Sequence, residues 1–299
     1  MNVAFACDDR PQSGLGHVVR CQALADALQA RGHKTRQLPF GFNAIPPCDL
    51  LVVDSYAATA ADFQDWSARA PVCVIDDLAD RDLRAAALVI NQNFGAELLE
   101  YRSSNARILR GPHFAMLRSQ FHEQRDLVHR AFSPGDRRVL ITLGGGIVES
   151  HLQRLIASLD SVEYDLELQV IGIDSASKVK SRHALELLGY TETIAHVMVR
   201  SDICITAGGV TTLELACLGT PAIVLTLAPN QEPGARAIHE RGAGISLGAF
   251  DKGLPNVASA LQAVLADPFA REGMSRAGSA SVDGCGAQHV VEVMETISR

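Results

Sequence analysis

Short runs rich in Val, Ile and Leu, bounded by Asp, Asn or Pro, alternate along this chain with longer amphipathic segments, and that alternation leaves few folds open. In the first half the runs are NVAFA, DLLVVD, VCVID and ALVINQN. After the first of them, HVVRCQALADALQARG sets Val18, Leu24 and Leu28 at helical spacing and ends on Gly32, a helix stop. FSPGDRR then reads as a linker through Pro134 and Gly135, and the series restarts with VLITLGGG, LELQVIG, DICITAGG and PAIVLTLAP. A strand–helix alternation that occurs twice predicts an α/β protein of two Rossmann-like, doubly wound domains, residues 1–132 and 136–299. An interdomain cleft is expected at the carboxyl ends of the two sheets, where open α/β sheets bind ligands. The closing GAQHVVEVMETISR reads as a helix of the second domain that packs across the boundary.

Composition narrows the function. The chain has 299 residues, 47% of them hydrophobic, which suffices for two cores. A formal charge of -7 without a sustained Lys/Arg block argues against a nucleic-acid partner. MNVAFACDDRP lacks the basic flank and long apolar stretch of a secretory signal, and no unbroken apolar run is long enough to span a membrane. Cys7, Cys21, Cys48, Cys73, Cys204, Cys217 and Cys285 are scattered, as buried thiols of a cytoplasmic protein would be, and no spacing suggests a metal.

The stretch SGLGHVVR puts Gly14, Gly16 and His17 where a strand hands over to a helix. Glycines there let a ligand approach the backbone, and free amides at the helix start favour an anion. A dinucleotide fingerprint would need a third glycine where Val19 or Arg20 stands. Partial positive charge at the helix start disfavours an imidazolium, so His17 is either a neutral general base or a helix-start contact.

Polar side chains close three other strands: Asp54 and Tyr56, Asp76 and Asp77, Asn91 and Asn93. Asp54 or Asp76 would otherwise cap the next helix. Asp76 and Asp77, being adjacent, should point apart and so hold no metal. In the second half, TLGGG (Gly144, Gly145, Gly146) and AGGVTTLE (Gly208, Gly209, Thr211, Thr212, Glu214) are glycine-rich turns into helices, able to offer amides and hydroxyls to a diphosphate and Glu214 to a ribose. Tight helix-on-sheet packing would equally account for the glycines of either turn. Asn230 and Gln231 in APNQE suit sugar hydroxyls.

In this order, GLGHVVRC, VVDSY, VIDDLADR, NQNFG, ILRGPHFAMLRSQF, GGG, AGGVTTLELACLGTP and PNQE resemble the UDP-2,4-diacetamido-2,4,6-trideoxy-β-L-altropyranose hydrolase (PseG) family, over nearly the whole chain. That family lies in the GT-B superfamily beside the MurG-like glycosyltransferases. The resemblance implies a GT-B fold and a metal-independent, cofactor-free hydrolase of pseudaminic acid or related nonulosonate biosynthesis. It would release UDP from a UDP-2,4-diacetamido-2,4,6-trideoxyhexose with inversion at the anomeric carbon. His17 then matches the general base, Tyr56 an active-site tyrosine, and Glu214 the ribose position. The substrate-binding set implied is Asp8, Gly14, Gly16, Asp54, Asn93, Gly144, Gly145, Gly208, Gly209, Thr211, Glu214, Asn230 and Gln231. The implied partners are the UDP-sugar and UDP alone, with oligomeric state, a monomer included, left open. The chain departs from the family pattern where Ala6 and Arg10 replace an arginine and a serine around Asp8, and where GGGIVE lacks an aspartate, so the identity of the sugar stays open. A GT-B glycosyltransferase with a UDP-sugar donor and a non-catalytic UDP-sugar binding module are the alternative readings.

Overall fold

The computed structural model describes residues 1–10, 16–39, 41–42, 44–101, 105–125, 131–144, 149–173 and 178–297. Its first elements are β1 (Asn2–Cys7), α1 (Gly16–Ala30), β2 (Lys34–Leu38), β3 (Leu50–Asp54), α2 (Ala60–Ser67), β4 (Val72–Ile75), β5 (Leu88–Asn91), β6 (Arg107–Arg110) and α3 (Ser119–Arg125). There follow β7 (Arg138–Thr142), α4 (Glu149–Leu159), β8 (Glu167–Ile171), β9 (Ala184–Leu188), α5 (Ile194–Arg200), β10 (Ile203–Ala207), α6 (Thr211–Cys217) and β11 (Ala222–Thr226). The last are α7 (Glu232–Glu240), β12 (Ile245–Ala249), α8 (Phe250–Gly253), α9 (Val257–Ala266), α10 (Pro268–Ser281) and α11 (Gly286–Ile297). Among the described residues no helix is long and apolar enough to cross a membrane.

Two parallel six-stranded sheets result, ordered β2-β1-β3-β4-β5-β6 and β12-β11-β10-β7-β8-β9. The eight apolar runs of the sequence are the eight interior strands. Buried on both faces, such strands read as continuous Val/Ile/Leu. The four strands without that signal, β2 (KTRQL), β6 (RILR), β9 (ALELL) and β12 (ISLGA), are the four sheet edges, where half-exposed positions take polar or small residues.

The chain divides into two compact units, Met1–Ser119 with Gly284–Arg299, and Gln120–Asp283. This differs from the boundaries read in the sequence at two places. Residues beyond Ser119 fold with the second unit because Phe121 is fully buried and Arg125 donates to the carbonyls of Cys217, Ser279 and Val282. Helix α11 belongs to the first unit, its Ala287, Val290, Val291 and Met294 completing the apolar layer that α1 forms on the sheet. Gly286 admits this approach, since a Cβ there would lie 2.4 Å from the backbone of Ala115.

In the first unit, strand alternation sorts the side chains onto two faces. Phe5, Leu50, Val52, Cys73, Ile75, Leu88 and Ile90 pack toward α1 and α11. Ala4, Ala6, Leu51, Val53, Val72, Val74 and Val89 pack on the other side, with Phe63 of α2. Because Met294 is fully enclosed in the α1 layer, Met294→Ala should cost about 2–5 kcal/mol. Urea denaturation would measure it, and an unchanged midpoint would mean that α11 is no part of this core.

Candidate active site

The same alternation carries past the strand ends. Asp54 continues the Leu50, Val52 series, and Asp77 continues the Cys73, Ile75 series, so both carboxylates reach the α1 side while Asp76 goes the other way. On α1, His17, Arg20 and Cys21 share one buried stripe at helical spacing with Leu24 and Leu28.

These residues form one network. Arg20 Nε donates to Asp54 Oδ2 at 2.6 Å and its Nη2 to Oδ1 at 2.7 Å. The far edge of the same guanidinium donates to Asp77 at 2.8 and 3.0 Å. His17 Nδ1 lies 2.6 Å from Asp54 Oδ1. Tyr56 donates its hydroxyl to Asp77 Oδ2 at 2.5 Å, Asn93 Nδ2 donates to Oδ1 at 2.7 Å, and the rings of Tyr56 and His17 meet edge-on at 4.8 Å.

Electrostatics settle the protonation states. Burial alone would raise the Asp54 carboxyl, but the charge and hydrogen bonds of Arg20, aided by His17, more than offset it and hold the group below the ordinary carboxylate range. Asp77 is held down in the same way, by Arg20, Tyr56 and Asn93 against burial. Arg20 is raised well above its ordinary value because the two carboxylates outweigh its own burial. Burial and the neighbouring Asp77 push the Tyr56 phenol up, so it is a donor at neutral pH. With Asp54 ionised, the 2.6 Å contact is an Nδ1–H donated to a carboxylate. Nδ1 also lies 3.2 Å from Arg20 Nη2, a longer contact that a protonated Nδ1 cannot accept. Nε2 is thereby the basic nitrogen.

His17, Asp54, Tyr56 and Asn93 thus come together, joined by Arg20, to which the sequence reading attached no role, and by Asp77, read there only as a polar strand-end residue. The signal was there: His17-x-x-Arg20 on one helix face, and two strands whose aspartates share a parity. Asp8 pairs with Arg10, whose guanidinium donates to it at 2.9 and 2.8 Å and whose amide donates at 3.3 Å. Asp76 holds its own loop, accepting from the amides of Leu78 and Ala79 and from Arg81. Gly16 opens α1, and Gly14 lies outside the described residues. Ligand atoms of Cys7, Cys21 and Asp54 fall within 4.8 Å of one another. Asp54 is already paired with a cation there, and a hydrogen bond with Cys7, then burial, push the Cys21 thiol up, which suits a thiol–carboxylate contact better than a metal.

In the second unit, Gly208 and Gly209 follow β10, and Thr211 begins α6. Gly208 is closely packed, since a Cβ there would lie 3.0 Å from Cβ of Gln231, whereas Gly209 faces open space. Thr212 donates to the Gly209 carbonyl at 2.8 Å and so braces the loop. Glu214 is buried in the first turn of α6. Gln231 accepts from the Leu227 amide at 2.8 Å, which holds its own turn, and Asn230 is exposed. Gly144 follows β7 with φ of 82°, and Gly145 and Gly146 lie outside the described residues.

Two Rossmann-like units, each a parallel six-stranded sheet with helices, define the GT-B, glycosyltransferase-like fold. Residues 157–287 match the glycosyltransferase family 28 C-terminal domain. The chain is 24% identical to spore coat polysaccharide biosynthesis protein SpsG of Bacillus subtilis (strain 168), over 99% of this chain and 98% of that protein. It is 26% identical to the pseudaminic acid cytidylyltransferase and UDP-2,4-diacetamido-2,4,6-trideoxy-beta-L-altropyranose hydrolase of Helicobacter pylori (strain ATCC 700392 / 26695), over 77% of this chain and 45% of that protein. Among solved structures it resembles Acinetobacter baumannii MurG, with a TM-score of 0.71 at 15% identity over 99% of both chains.

Arg20 holds the buried Asp54 carboxylate and the largely enclosed Asp77, so Arg20→Leu should cost about 3–5 kcal/mol by denaturant unfolding. Both carboxyls lie below their ordinary values in the fold, so their pairing stabilises it above about pH 4 and is lost as pH falls through the lowered values. In Arg20→Leu that depression is removed, so the unfolding free energy should fall less steeply below about pH 4 than in the parent. An equally steep fall in the variant would show that the guanidinium does not hold these groups.

Proposed function

We propose that the chain hydrolyses a UDP-activated 2,4-diacetamido-2,4,6-trideoxyhexose to UDP and the free sugar, with inversion, in the making of pseudaminic acid or a related surface nonulosonate. The observation that carries this is the His17–Asp54 pair, which leaves Nε2 of a buried imidazole as the base. Nε2 takes a proton from water, the water oxygen bonds to the anomeric carbon from the face opposite UDP, and the anomeric C–O bond breaks with its electron pair going to the diphosphate. Around His17 one guanidinium stands against two carboxylates, leaving one negative charge uncompensated. An imidazolium neutralises it, so the network favours the charge that develops in the transition state. Tyr56 keeps the ring oriented from the side.

The second unit supplies the nucleotide site in this reading. The Gly144–Gly145 and Gly208–Gly209 turns with Thr211 take the diphosphate, Glu214 the ribose hydroxyls, and Asn230 and Gln231 the sugar. UDP is a good leaving group once held by amides, so neither a metal nor a cofactor is required. The names of the Helicobacter and Bacillus relatives, one a hydrolase of this sugar nucleotide and one a polysaccharide biosynthesis protein, support the assignment. The match to a glycosyltransferase family 28 domain favours a second reading, in which the same base deprotonates an acceptor hydroxyl.

In ¹⁸O-labelled water, with a chelator present and no acceptor, the label should enter the sugar and not UDP. His17→Asn should slow turnover roughly 10²- to 10⁴-fold with UDP affinity unchanged. Label in UDP, or a variant as fast as the parent, overturns the mechanism, and UDP release only when an acceptor is added selects the transferase. Glu214→Ala should weaken UDP binding by about 1.5–3 kcal/mol in calorimetry while altering kcat less. Unchanged affinity would make Glu214 a structural residue.

A further inference from the structure

The carboxyl ends of β1 and β3 carry a second concavity, on the face opposite α1. Asp54 turns toward His17, whereas Val53 belongs to the α2 side, and a cavity of about 200 Å³ opens there, lined by Val53 and Ser55. Ser55 and Ala57, the residues on either side of Tyr56, both form its wall, as does Cys7 at the end of β1. The cavity therefore adjoins the catalytic network through the chain segment that carries Tyr56.

Its chemistry is selective. Phe42 and Trp66 form an aromatic wall with rings 5.3 Å apart, and Phe63 holds Trp66 edge-on at 5.9 Å. Ala57 and Ala58 add small side chains to the lining. The one carboxylate in the lining, Asp62, is engaged by the Thr59 amide at 2.8 Å and the Thr59 hydroxyl at 2.7 Å as the cap of α2. Ser55 Oγ accepts from the Ala57 amide at 3.1 Å and keeps its hydroxyl hydrogen to donate. Apolar walls with one donor at the edge suit a neutral group that has a methyl end and a carbonyl oxygen. An ammonium would lose its hydration there and meet a carboxylate already engaged.

We propose that this cavity is a specificity subsite for a short N-acyl group on the sugar, the alkyl end against Phe42 and Trp66 and the carbonyl oxygen toward the Ser55 hydroxyl. This rests on the reading that His17 activates water on a sugar nucleotide. The volume exceeds an acetyl group, so acyl chains somewhat longer than acetyl should also be accepted.

The test compares the UDP-diacetamido sugar with the two analogues in which one or the other amine is free, and with their N-propionyl forms. In the parent, freeing the amine that faces the cavity should lower kcat/KM about tenfold or more, and N-propionyl should be turned over at a comparable rate. Ala57 is exposed, so Ala57→Leu narrows the mouth without touching the core. It should lower kcat/KM for the acylated substrate about tenfold, leave the free-amine analogue nearly unchanged, and leave UDP affinity unchanged. Equal loss on both substrates, or no loss, overturns the subsite. Saturation-transfer NMR on the free diacetamido sugar reads the cavity without turnover: acetyl-methyl transfer in the parent should fall in Ala57→Leu. If no sugar nucleotide is hydrolysed yet that transfer depends on Ala57, the proposed function fails and the subsite stands. If hydrolysis occurs but neither readout responds to Ala57→Leu, the subsite fails alone.

Discussion

The Arg20 guanidinium, shared between Asp54 and Asp77, is the interaction on which the first unit's site depends. Two carboxylates enclosed at the end of one sheet would repel each other and take up protons without a buried cation between them. With it, both stay ionised, and each is free to orient a second residue: Asp54 fixes His17, and Asp77 fixes Tyr56 and Asn93. A planar fork reaching two acceptors is a geometry that a lysine could not reproduce. Since Arg20 and His17 lie on one face of α1, the helix that packs the core also positions the histidine.

The sheet contributes parity. One residue of shift along β3 would turn Asp54 away from α1 and Val53 toward it, which would both break the network and place an apolar side chain beside the histidine. The same period explains why the adjacent pair Asp76 and Asp77 serve different ends, one tying down its loop through Leu78, Ala79 and Arg81 and the other completing the network. It also gives the strand ends two usable faces, a charged one against α1 and an aromatic one against α2.

Much of this was legible in the chain. Interior strands buried on both faces must be apolar throughout, so the eight runs and their alternation with helices announce two doubly wound sheets. His17 and the polar strand ends at Asp54, Tyr56 and Asn93 were legible for a related reason, since a polar residue closing an apolar strand stands out. Gly208 and Gly209 were legible as a pair but not as different in kind: only the neighbouring Gln231 shows that the first is closely packed, while the second faces open space.

What the sequence determined by itself, then, is whatever depends on local period: the interior strands, the helix α1, and the face on which each strand-end residue must lie. Tertiary structure alone decided the rest. An edge strand such as KTRQL carries no apolar signal, because it is largely exposed and only a neighbour's backbone makes it a strand. The terminal helix has an apolar face that would suit either core, and it is contact with α1, together with the close approach at Gly286, that places it in the first unit. The partnership of Arg20 with Asp54 and Asp77 spans 34 and 57 residues of chain, so it exists only once the strands are side by side. Charge pairing across such separations leaves no periodic trace in the sequence, because it is set by which strand ends the fold brings together.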